Sequence, residues 1–455
     1  MQLFKRSVSA RGLTAFSFEI LLIVGSLLLA TRFYEPADDP GLVWRILLAT
    51  GLFLVCLYYN DFYDLTVVQS GREMVIRLFQ AGGAASILLA LIYFLLPAVA
   101  VSDSAFFPSL ALFLAATLTW RFAFSVVMRA PRLVENVLIV GTGPTAVGVA
   151  RQIFQQHDFA YHIVGFAGEG SVAHLPPGYP RLLGSPNDIG DLVARHSIDR
   201  IVVAVADRRG RLPVEELVHA KLSGVCVEEA ATTYERLTGK IMLENIKPSW
   251  LIFSEGFRVS RVRCFLKRLV DVVLSLVGLA LSAIPMALTA FAVWLESGRP
   301  VLYKQERVGQ FGRVFALFKF RSMRVDAEGD TPVWAAQQDD RVTHVGRFIR
   351  LTRLDELPQL WNVLRGDMSF VGPRPERPYF VEMLSEEIPF YHERHAVKPG
   401  ITGWAQVKYR YGSSVEDATE KLRYDLYYIK HLSVIFDLTI VFDTVKVILF
   451  GKGAQ

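Results

Sequence analysis

The sequence predicts a membrane protein with three parts: an α-helical bundle of four spans, a small doubly wound α/β domain, and a second α/β domain that meets the membrane through a re-entrant helix. Three observations lead to this prediction. The chain has 455 residues, about three times the roughly 150 residues of a typical domain. Hydrophobic residues make up 52 % of it and charged residues only 20 %. The apolar residues cluster in long segments, and short apolar runs alternate with amphipathic ones after the first four segments.

Charge and cysteine content exclude some classes of protein. Lys and Arg total 49 and Asp and Glu 44, a net charge of +5. This small basic excess suits a lipid surface or phosphate groups and gives no argument for a nucleic-acid partner. The three cysteines, Cys56, Cys226 and Cys264, are widely spaced and odd in number. They predict reduced thiols rather than a disulfide framework or a zinc site.

Four apolar segments near the N-terminus predict the bundle, which occupies residues 1–131. Each is long enough to cross a hydrocarbon core of roughly 30 Å, which needs about 20 residues. Basic residues precede the first segment (Lys5, Arg6) and follow the fourth (Arg129, Arg132), so the positive-inside rule places both ends of the bundle in the cytoplasm. No small-residue cleavage site follows the first segment, so we expect no cleaved signal peptide. The four segments are 13–31, 41–59, 76–100 and 105–128.

Residues 132–250 predict a doubly wound domain. Apolar strands are expected at 136–140, 162–166, 201–205 and 225–227, with helices at 188–196 and 214–222 between them. The first strand leads into Gly141-x-Gly143-x-x-Ala146, a turn in which small residues let a phosphate approach the N–H groups of a helix. An acid for a ribose should follow about 20 residues on, but Glu169 comes late and in a glycine-rich loop. Gly141 and Gly143 are therefore weak nucleotide-binding candidates, and a Rossmann-like domain without a ligand is favoured.

Residues 251–455 form the third part, with apolar segments near both of its ends. Residues 269–294 are long enough to span a membrane, contain Pro285, and have basic residues on both sides. The last segment, 432–450, carries Asp437 and Lys446, whose charges would be costly in a true span. It predicts an amphipathic helix that lies on the membrane or packs on the domain.

The densest charge pattern lies between the two apolar segments. Arg347, Arg350 and Arg353 have helical spacing and can offer forked donors to phosphate oxygens from one helix face. Asp355 and Glu356 then stand at the start of a second helix, whose first turn would tolerate Pro358 and whose end Gly366 suits. The alternative is a solvated basic face beside acids that favour a helix N-terminus.

Neighbouring motifs favour a catalytic site over a solvated basic face. Lys319-Phe-Arg321-Ser-Met323 adds cations, and Phe370-Val-Gly-Pro-Arg-Pro-Glu376 adds a rigid loop. Two adjacent acids can have different roles: one can act as nucleophile or base while the other binds a divalent cation. Cations, carboxylates and a fixed loop are what phosphoryl transfer from a diphosphate requires.

These motifs resemble the bacterial polyprenyl-phosphate sugar-1-phosphate transferases, specifically their long, multi-domain branch that includes undecaprenyl-phosphate glucose phosphotransferases. The resemblance covers about residues 265–449 and includes Lys267-Arg268-x-x-Asp271, the run from Leu354 to Ser369, Gly372-Pro-Arg-Pro375 and Lys398-Pro-Gly-Ile-Thr-Gly-Trp-Ala-Gln406. It implies transfer of a sugar 1-phosphate from a UDP-sugar to undecaprenyl phosphate, with release of UMP, at the start of exopolysaccharide or O-antigen synthesis. Glucose is the expected sugar and galactose the second choice; a homodimer is a family-level expectation.

The resemblance also implies roles for individual residues. Asp355 corresponds to the nucleophile that accepts the phosphosugar, and Glu356 to the acid associated with Mg²⁺. Lys408-Tyr409-Arg410 stands where the family often has Asn-Gly-Arg, so substrate contacts there can differ. The other positions that correspond to substrate-binding residues are Lys319, Arg321, Arg350, Arg374, Arg410 and Asp425.

The re-entrant helix, placed at 267–295, follows from topology. If residues 269–294 crossed the membrane as a fifth span, Asp355 and Glu356 would leave the compartment that holds nucleotide sugars and Mg²⁺. A helix broken at Pro285 that returns to the cytoplasmic face avoids this. The third part is therefore expected on the cytoplasmic face of the bacterial inner membrane, in contact with the lipid bilayer.

Two alternative functions fit the sequence less well. A membrane-anchored nucleotide-sugar dehydratase or epimerase would need a Tyr-x-x-x-Lys pair for proton transfer, and no tyrosine after Gly141 has a lysine four positions later. A non-catalytic membrane scaffold is the second alternative, and the intact acids and cations argue against it.

Overall fold

The computed structural model describes residues 10–34, 41–63, 71–128, 134–155, 161–169, 180–205, 212–243, 256–257, 260–324, 340–409, 412 and 414–450. Contacts divide the chain into two compact units, residues 1–238 and 239–455. The first unit contains a helical bundle followed by an α/β domain, and the second contains the charged motifs.

Long apolar helices form the N-terminal bundle. Among the described residues of the whole chain, five helices are long and apolar enough to cross a membrane, and four of them are in this bundle. Ile23, Phe53, Leu57 and Leu78 pack in its interior, whereas large apolar side chains such as Phe94 face outward, as expected for a bundle surrounded by lipid. This confirms several apolar helices at the N-terminus; the number of spans stays a prediction. The helices are α1 (Ala10–Tyr34), α2 (Leu42–Tyr59), α3 (Gly71–Leu95) and α4 (Asp103–Met128).

A parallel sheet confirms the α/β domain that the sequence predicts. Its strands lie in the order β3-β2-β1-β4-β5, all parallel, and helices follow β1, β3, β4 and β5. The short strand β3 was not predicted, because three residues carry too little periodicity to be read from sequence. The elements are β1 (Glu135–Val140), α5 (Pro144–Gln155), β2 (Tyr161–Ala167), β3 (Leu182–Gly184), α6 (Ile189–His196), β4 (Arg200–Val203), α7 (Val214–Leu222), β5 (Cys226–Glu229) and α8 (Ala230–Thr238).

The second unit begins with one long helix, α9 (Arg261–Ser297), of 37 residues. Its secondary structure continues through Pro285, so the break expected there is not seen; the proline removes one backbone hydrogen bond without ending the helix. Most of α9 is apolar and exposed, with Leu281 and Ile284 each more than 70 % accessible. Whether the helix re-enters the membrane stays a prediction.

Both ends of α9 are attached to the rest of the second unit. Near its N-terminus, Lys267 binds the Asp437 carboxylate at 2.7 Å, and Asp271 accepts hydrogen bonds from Ser369 Oγ and Phe370 N at 3.0 and 2.9 Å. At the other end, Glu296 accepts a hydrogen bond of 2.8 Å from His344 N. The Lys-Arg-x-x-Asp motif at 267–271 thus anchors the helix to the domain.

The remaining elements of this unit pack around a core that includes Leu422, Leu426 and Tyr428. The last helix packs on this core through Asp437 and Ile440, which are 4 % and 0 % exposed, while its other face exposes apolar side chains. The predicted amphipathic helix therefore packs on the domain. The elements are β6 (Leu302–Val308), antiparallel to β7 (Val314–Phe320); α10 (His344–Leu351); α11 (Gln359–Arg365); β8 (Ser369–Val371), parallel to β9 (Gly400–Thr402); α12 (Pro378–Glu387); α13 (Trp404–Lys408); α14 (Val415–Lys430); and α15 (Val434–Phe450).

Candidate active site

A short turn between α10 and α11 carries the two adjacent acids. Arg353 has a left-handed backbone with φ of 59°, and Leu354–Glu356 then form one 3₁₀ turn. Pro358 follows immediately before α11, and Gly366 ends that helix with φ of 94°, a conformation that glycine adopts without strain. Gly366 therefore ends the helix as predicted, but the acids lie one turn before the helix rather than in its first turn.

The left-handed backbone of Arg353 also corrects the predicted arginine face. Helix α10 ends at Leu351, so Arg353 is not on the same helix as Arg347 and Arg350. Arg347 is exposed to solvent. Arg350 and Arg353, in contrast, both act electrostatically on Asp355. Two of the three arginines therefore lie near the acids, but they do not share one helix face as predicted.

Glu356 is surrounded by three cations. Its Oε1 lies 3.1 Å from Lys319 Nζ on β7, 3.3 Å from Arg374 Nη2 and 3.8 Å from Arg353 Nη1. Burial alone would raise the pKa of Glu356, but Lys319, Arg374 and Arg353 outweigh it and hold this pKa well below its usual range. Glu356 is therefore a fixed negative charge that gathers the cations of two loops and one strand.

Asp355 has a different environment, although it is the next residue. It is 7 % exposed, and among the described residues none lies within hydrogen-bond or ion-pair distance of its carboxylate. Burial raises the pKa of Asp355, and the nearby charge of Lys319 offsets part of this effect. A buried carboxylate without a bound partner, close to cations, is what an attacking nucleophile requires.

Two of the other predicted residues are fixed by the protein near the acids. Arg350 donates from Nε to Ser322 Oγ at 2.8 Å, which holds its guanidinium beside the turn. Arg374, in the Pro-Arg-Pro loop, reaches Glu356 as described and also accepts a hydrogen bond at its backbone oxygen from Arg394 Nη2 at 3.1 Å. Arg374 is therefore held by two contacts: its side chain binds Glu356 and its backbone oxygen accepts a hydrogen bond from Arg394.

Arg321 does not join this cluster. It is 6 % exposed, and its Nη2 donates to Ser297 Oγ at 3.1 Å and to the Gly298 carbonyl at 2.8 Å, at the C-terminal end of α9. A guanidinium there satisfies carbonyl groups that the helix leaves without partners. The structure thus places Arg321 at the end of α9, and its substrate-binding role stays a prediction.

Asp425 forms a buried ion pair with Arg394, a residue that sequence reasoning missed. Arg394 donates to Asp425 Oδ2 from Nη2 at 2.8 Å and from Nε at 3.1 Å, and the two residues are 5 % and 1 % exposed. Burial raises the pKa of Asp425, and Arg394 opposes the rise. No local motif marks Arg394, whose partners lie far away in sequence. Arg410, also predicted, is outside the described residues.

A cavity of about 520 Å³ lies beside these groups. One part of its wall is charged and one part apolar. Its charged lining includes Glu356, Arg374, Glu376, Arg394, Lys421 and Asp425. Leu354 and Glu356, the chain neighbours of Asp355, line the cavity, whereas Asp355 is nearly covered.

The donor set suits one type of metal. Within the described ranges, no group of three or more His, Cys, Asp or Glu side chains could hold a metal ion by itself. Mg²⁺, however, usually takes one or two carboxylates, keeps several waters and binds substrate phosphates. Glu356, which lines the cavity, and the neighbouring Asp355 could supply such carboxylates; magnesium at this site stays a prediction.

In the turn that follows β1, the backbone conformation requires glycine at one of the two glycine positions. Gly141 has φ of 124°, and a Cβ there would lie 2.8 Å from the Ala204 carbonyl oxygen. Gly143 has open space around the Cβ position. Thr142 Oγ1 donates to the backbone oxygen of Glu169 at 3.0 Å. The turn is compatible with close approach of a ligand, and its use as a nucleotide site stays a prediction.

Comparison with known proteins agrees with this arrangement. The family of bacterial sugar transferases matches residues 262–451, and the CoA-binding domain family matches residues 59–212. The first match contains all of α9 except its first residue, the paired acids and the residues that line the cavity.

Three relatives show how far the similarity extends. A UDP-N-acetylgalactosamine-undecaprenyl-phosphate N-acetylgalactosaminephosphotransferase of Aeromonas hydrophila is 41 % identical over 52 % of this chain, which spans 56 % of that relative. Two UDP-glucose:undecaprenyl-phosphate glucose-1-phosphate transferases are also similar. That of Xanthomonas campestris is 29 % identical over 100 % of this chain and 96 % of the relative. That of Caulobacter vibrioides is 43 % identical over 41 % of this chain and 71 % of the relative. The resemblance seen in the motifs is confirmed, and the chain belongs to the bacterial sugar transferase family.

Proposed function

We propose that the protein transfers a sugar 1-phosphate from a UDP-sugar to undecaprenyl phosphate and releases UMP. The observation that carries this proposal is the contrast between the two acids: Glu356 binds three cations, whereas the neighbouring Asp355 keeps an unpaired carboxylate among the described residues. The names of the relatives support the substrates.

The reaction proceeds by two displacements. An oxygen of Asp355 attacks the phosphorus bonded to the sugar, and the bond from that phosphorus to the UMP oxygen breaks. Lys319 and Arg374 stabilise the negative charge that develops on the phosphoryl oxygens and on the departing UMP. An oxygen of the lipid phosphate then attacks the same phosphorus, which frees Asp355 and leaves a polyprenyl diphosphate sugar.

Magnesium belongs to this proposal. Glu356 and the substrate diphosphate would hold the ion, with Asp355 close by, and it would neutralise part of the diphosphate charge. The cations around Glu356 share that task, which suits a site that must accept two phosphate-bearing substrates in turn.

The attachments of α9 support the predicted location. A straight helix of 37 residues is about 55 Å long, more than the roughly 30 Å of a hydrocarbon core. Asp271 and Glu296 nevertheless both bind elements of one charged unit. A helix that crossed the membrane would place these ends on opposite faces, so the contacts favour a helix whose ends both lie on the cytoplasmic face.

The donor sugar is proposed to be glucose. The Xanthomonas relative, which matches the whole chain, is named for UDP-glucose, whereas the Aeromonas relative is named for UDP-N-acetylgalactosamine. Both donors therefore belong in the test, together with UDP-galactose.

The test is UMP release by the purified protein with Mg²⁺ and undecaprenyl phosphate, across that panel. We expect lipid-dependent release from one donor, and we expect exchange of labelled UMP into the UDP-sugar without lipid, because the first displacement does not need the acceptor. Asp355→Asn should fold, since the side chain keeps its shape, and should lose both reactions. Normal exchange in that variant would contradict the assignment of the nucleophile, and no release with any donor would contradict the function.

A further inference from the structure

The cavity next to the acids has an apolar half that the two displacements do not use. One wall of this half is a single face of α15, because residues four and three apart in a helix lie on the same side. A second wall comes from the segment around the acids, and α9 contributes Gly278. The apolar half is lined by Val441, Val445 and Ile448 on α15 and by Leu351, Leu357 and Leu360 opposite.

Gly278 keeps this half open while α9 and α11 pack closely. A Cβ at this position would lie 3.2 Å from Leu360 Cδ1. The absence of a side chain therefore lets the two helices approach each other, and nothing from α9 projects into the cavity at that point. Thr444, on the same face of α15, is hydrogen-bonded to Thr402 at 2.7 Å, which fixes the α15 wall against β9.

The apolar half opens outward between apolar surfaces. Leu351 and Ile448 line the cavity and are also 76 % and 53 % exposed, so they form its rim. Outside the rim, α9 exposes Leu281 and Ile284, which are 78 % and 73 % accessible. Large apolar patches of this kind mark contact with a membrane or a ligand. The cavity thus runs from charged groups at the acids to an apolar rim.

We infer that this apolar half, defined by Val441, Val445, Ile448, Leu351, Leu357 and Leu360 and called here the chain groove, binds the first isoprene units of the lipid phosphate acceptor. The inference rests on the proposed function, which supplies the acceptor. An amphiphile with a phosphate at one end matches the order of charged and apolar groups in the cavity. A volume of about 520 Å³ is that of a site for a small molecule, so most of a long chain stays in the bilayer.

The chain groove should affect binding of the lipid acceptor and not binding of the UDP-sugar donor. Both phosphates use the same cations in turn, but a UDP-sugar has no hydrocarbon chain for the groove. A change in the groove should therefore raise the KM for a long-chain acceptor and leave the KM for the UDP-sugar within about twofold. Loss of fit in an apolar pocket typically changes affinity by about tenfold or more.

The experiment compares two tryptophan variants on α15. Val445→Trp fills the groove, and Leu438→Trp is the matched control, because both residues are 40 % exposed and only Val445 lines the cavity. We measure the KM for undecaprenyl phosphate, the KM for a short isoprenyl phosphate, and the KM for the UDP-sugar in the full-length protein. We expect Val445→Trp to raise the KM for both isoprenyl acceptors by about tenfold and to leave the KM for the UDP-sugar within about twofold, and Leu438→Trp to change none of the three.

Two results would overturn the chain groove: an unchanged KM for undecaprenyl phosphate in Val445→Trp, or an equal rise in both variants, which would indicate general docking to the membrane. If Val445→Trp does not fold, Ile448→Trp at the more exposed rim replaces it. Retention of undecaprenyl phosphate by the protein through gel filtration, measured by mass spectrometry, tests the groove without turnover. Failure of UMP exchange in the unmodified protein would contradict the covalent step of the proposed function, and the retention measurement would still decide the groove.

Discussion

Variants of the buried ion pair between Arg394 and Asp425 can distinguish a contribution to stability from a role in positioning Arg374. Both side chains are almost fully buried, and Arg394 also donates to the backbone oxygen of Arg374, whose side chain contacts Glu356. Arg394→Met leaves a buried carboxylate without its partner, and Asp425→Leu leaves a buried guanidinium. Removing one partner of such a pair costs about 3–5 kcal/mol of unfolding free energy.

This loss of unfolding free energy corresponds to a decrease in the melting temperature. For a unit of about 200 residues, 1 kcal/mol shifts the midpoint by roughly 2–4 °C, so each single variant should lose about 6–20 °C. The double variant Arg394→Met/Asp425→Leu replaces both charges by apolar groups and should recover most of this loss, since buried pairs are often matched by apolar packing. Thermal unfolding in detergent measures all three variants.

Activity should behave differently from stability. The double variant still lacks the hydrogen bond from Arg394 to Arg374, so UMP release should remain reduced after stability has recovered. If activity recovers with stability, Arg394 does not position the Arg374 loop. If the double variant is as unstable as the sum of the two single variants, the account of a buried ion pair is wrong.

The pH dependence of Arg394→Met gives an independent check. Arg394 is the main group that lowers the pKa of Asp425 against burial, so without Arg394 the folded-state pKa rises further. A carboxyl whose pKa is higher in the folded than in the unfolded protein, where it is about 3.9, binds protons more tightly when folded. The loss of unfolding free energy in Arg394→Met, relative to the unmodified protein, should therefore shrink as the pH falls toward about 4. The loss in Asp425→Leu, which has no carboxyl to protonate at this position, should not shrink.

Three further predictions follow from the site and from the α/β domain. Because burial raises the pKa of Asp355 and attack requires the ionised form, kcat/KM for UMP release should fall with decreasing pH around a midpoint above about 3.9; a midpoint at or below that value would contradict the environment described for Asp355. Chelation by EDTA should abolish release and added Mg²⁺ should restore it; undiminished release in EDTA would remove magnesium from the proposal. Gly141→Ala should destabilise the α/β domain by at least about 1 kcal/mol, because the backbone is left-handed and the Ala204 oxygen is in the way, whereas Gly143→Ala should be nearly neutral; limited proteolysis compares the two, and equal losses would contradict the contact.

Features that depend on the residues of one short segment were predicted correctly from the sequence. The run Asn136–Val140 is an apolar strand, and it forms β1 within one residue of its expected start. Gly366 follows an amphipathic helix and ends it in a left-handed conformation. The last apolar segment carries Asp437, and this charge is buried against Lys267 rather than exposed to lipid. Each of these outcomes follows from residue type and spacing.

Other features depend on contacts that spacing cannot show. Three arginines at intervals of three predict a shared helix face, but the positive φ of Arg353 ends that regularity. Arg321 lies two residues from Lys319, but β7 ends at Phe320, and Arg321 binds Ser297 and Gly298 at the end of α9. Arg394 is in no motif, and it matters because folding brings it to Asp425 and Arg374.

The two adjacent acids show how one turn can provide two chemical functions. When neighbouring titratable groups have environments that push their pKa values apart, their roles can be assigned from those environments. Cations lower the pKa of Glu356, so it stays charged and, in the proposed reaction, would keep Lys319, Arg353 and Arg374 in place through both displacements. Burial raises the pKa of Asp355, and a carboxylate of higher pKa is the stronger nucleophile once ionised. Exchanging the roles would fail, because a nucleophile bound to three cations would have to break these contacts before it could attack.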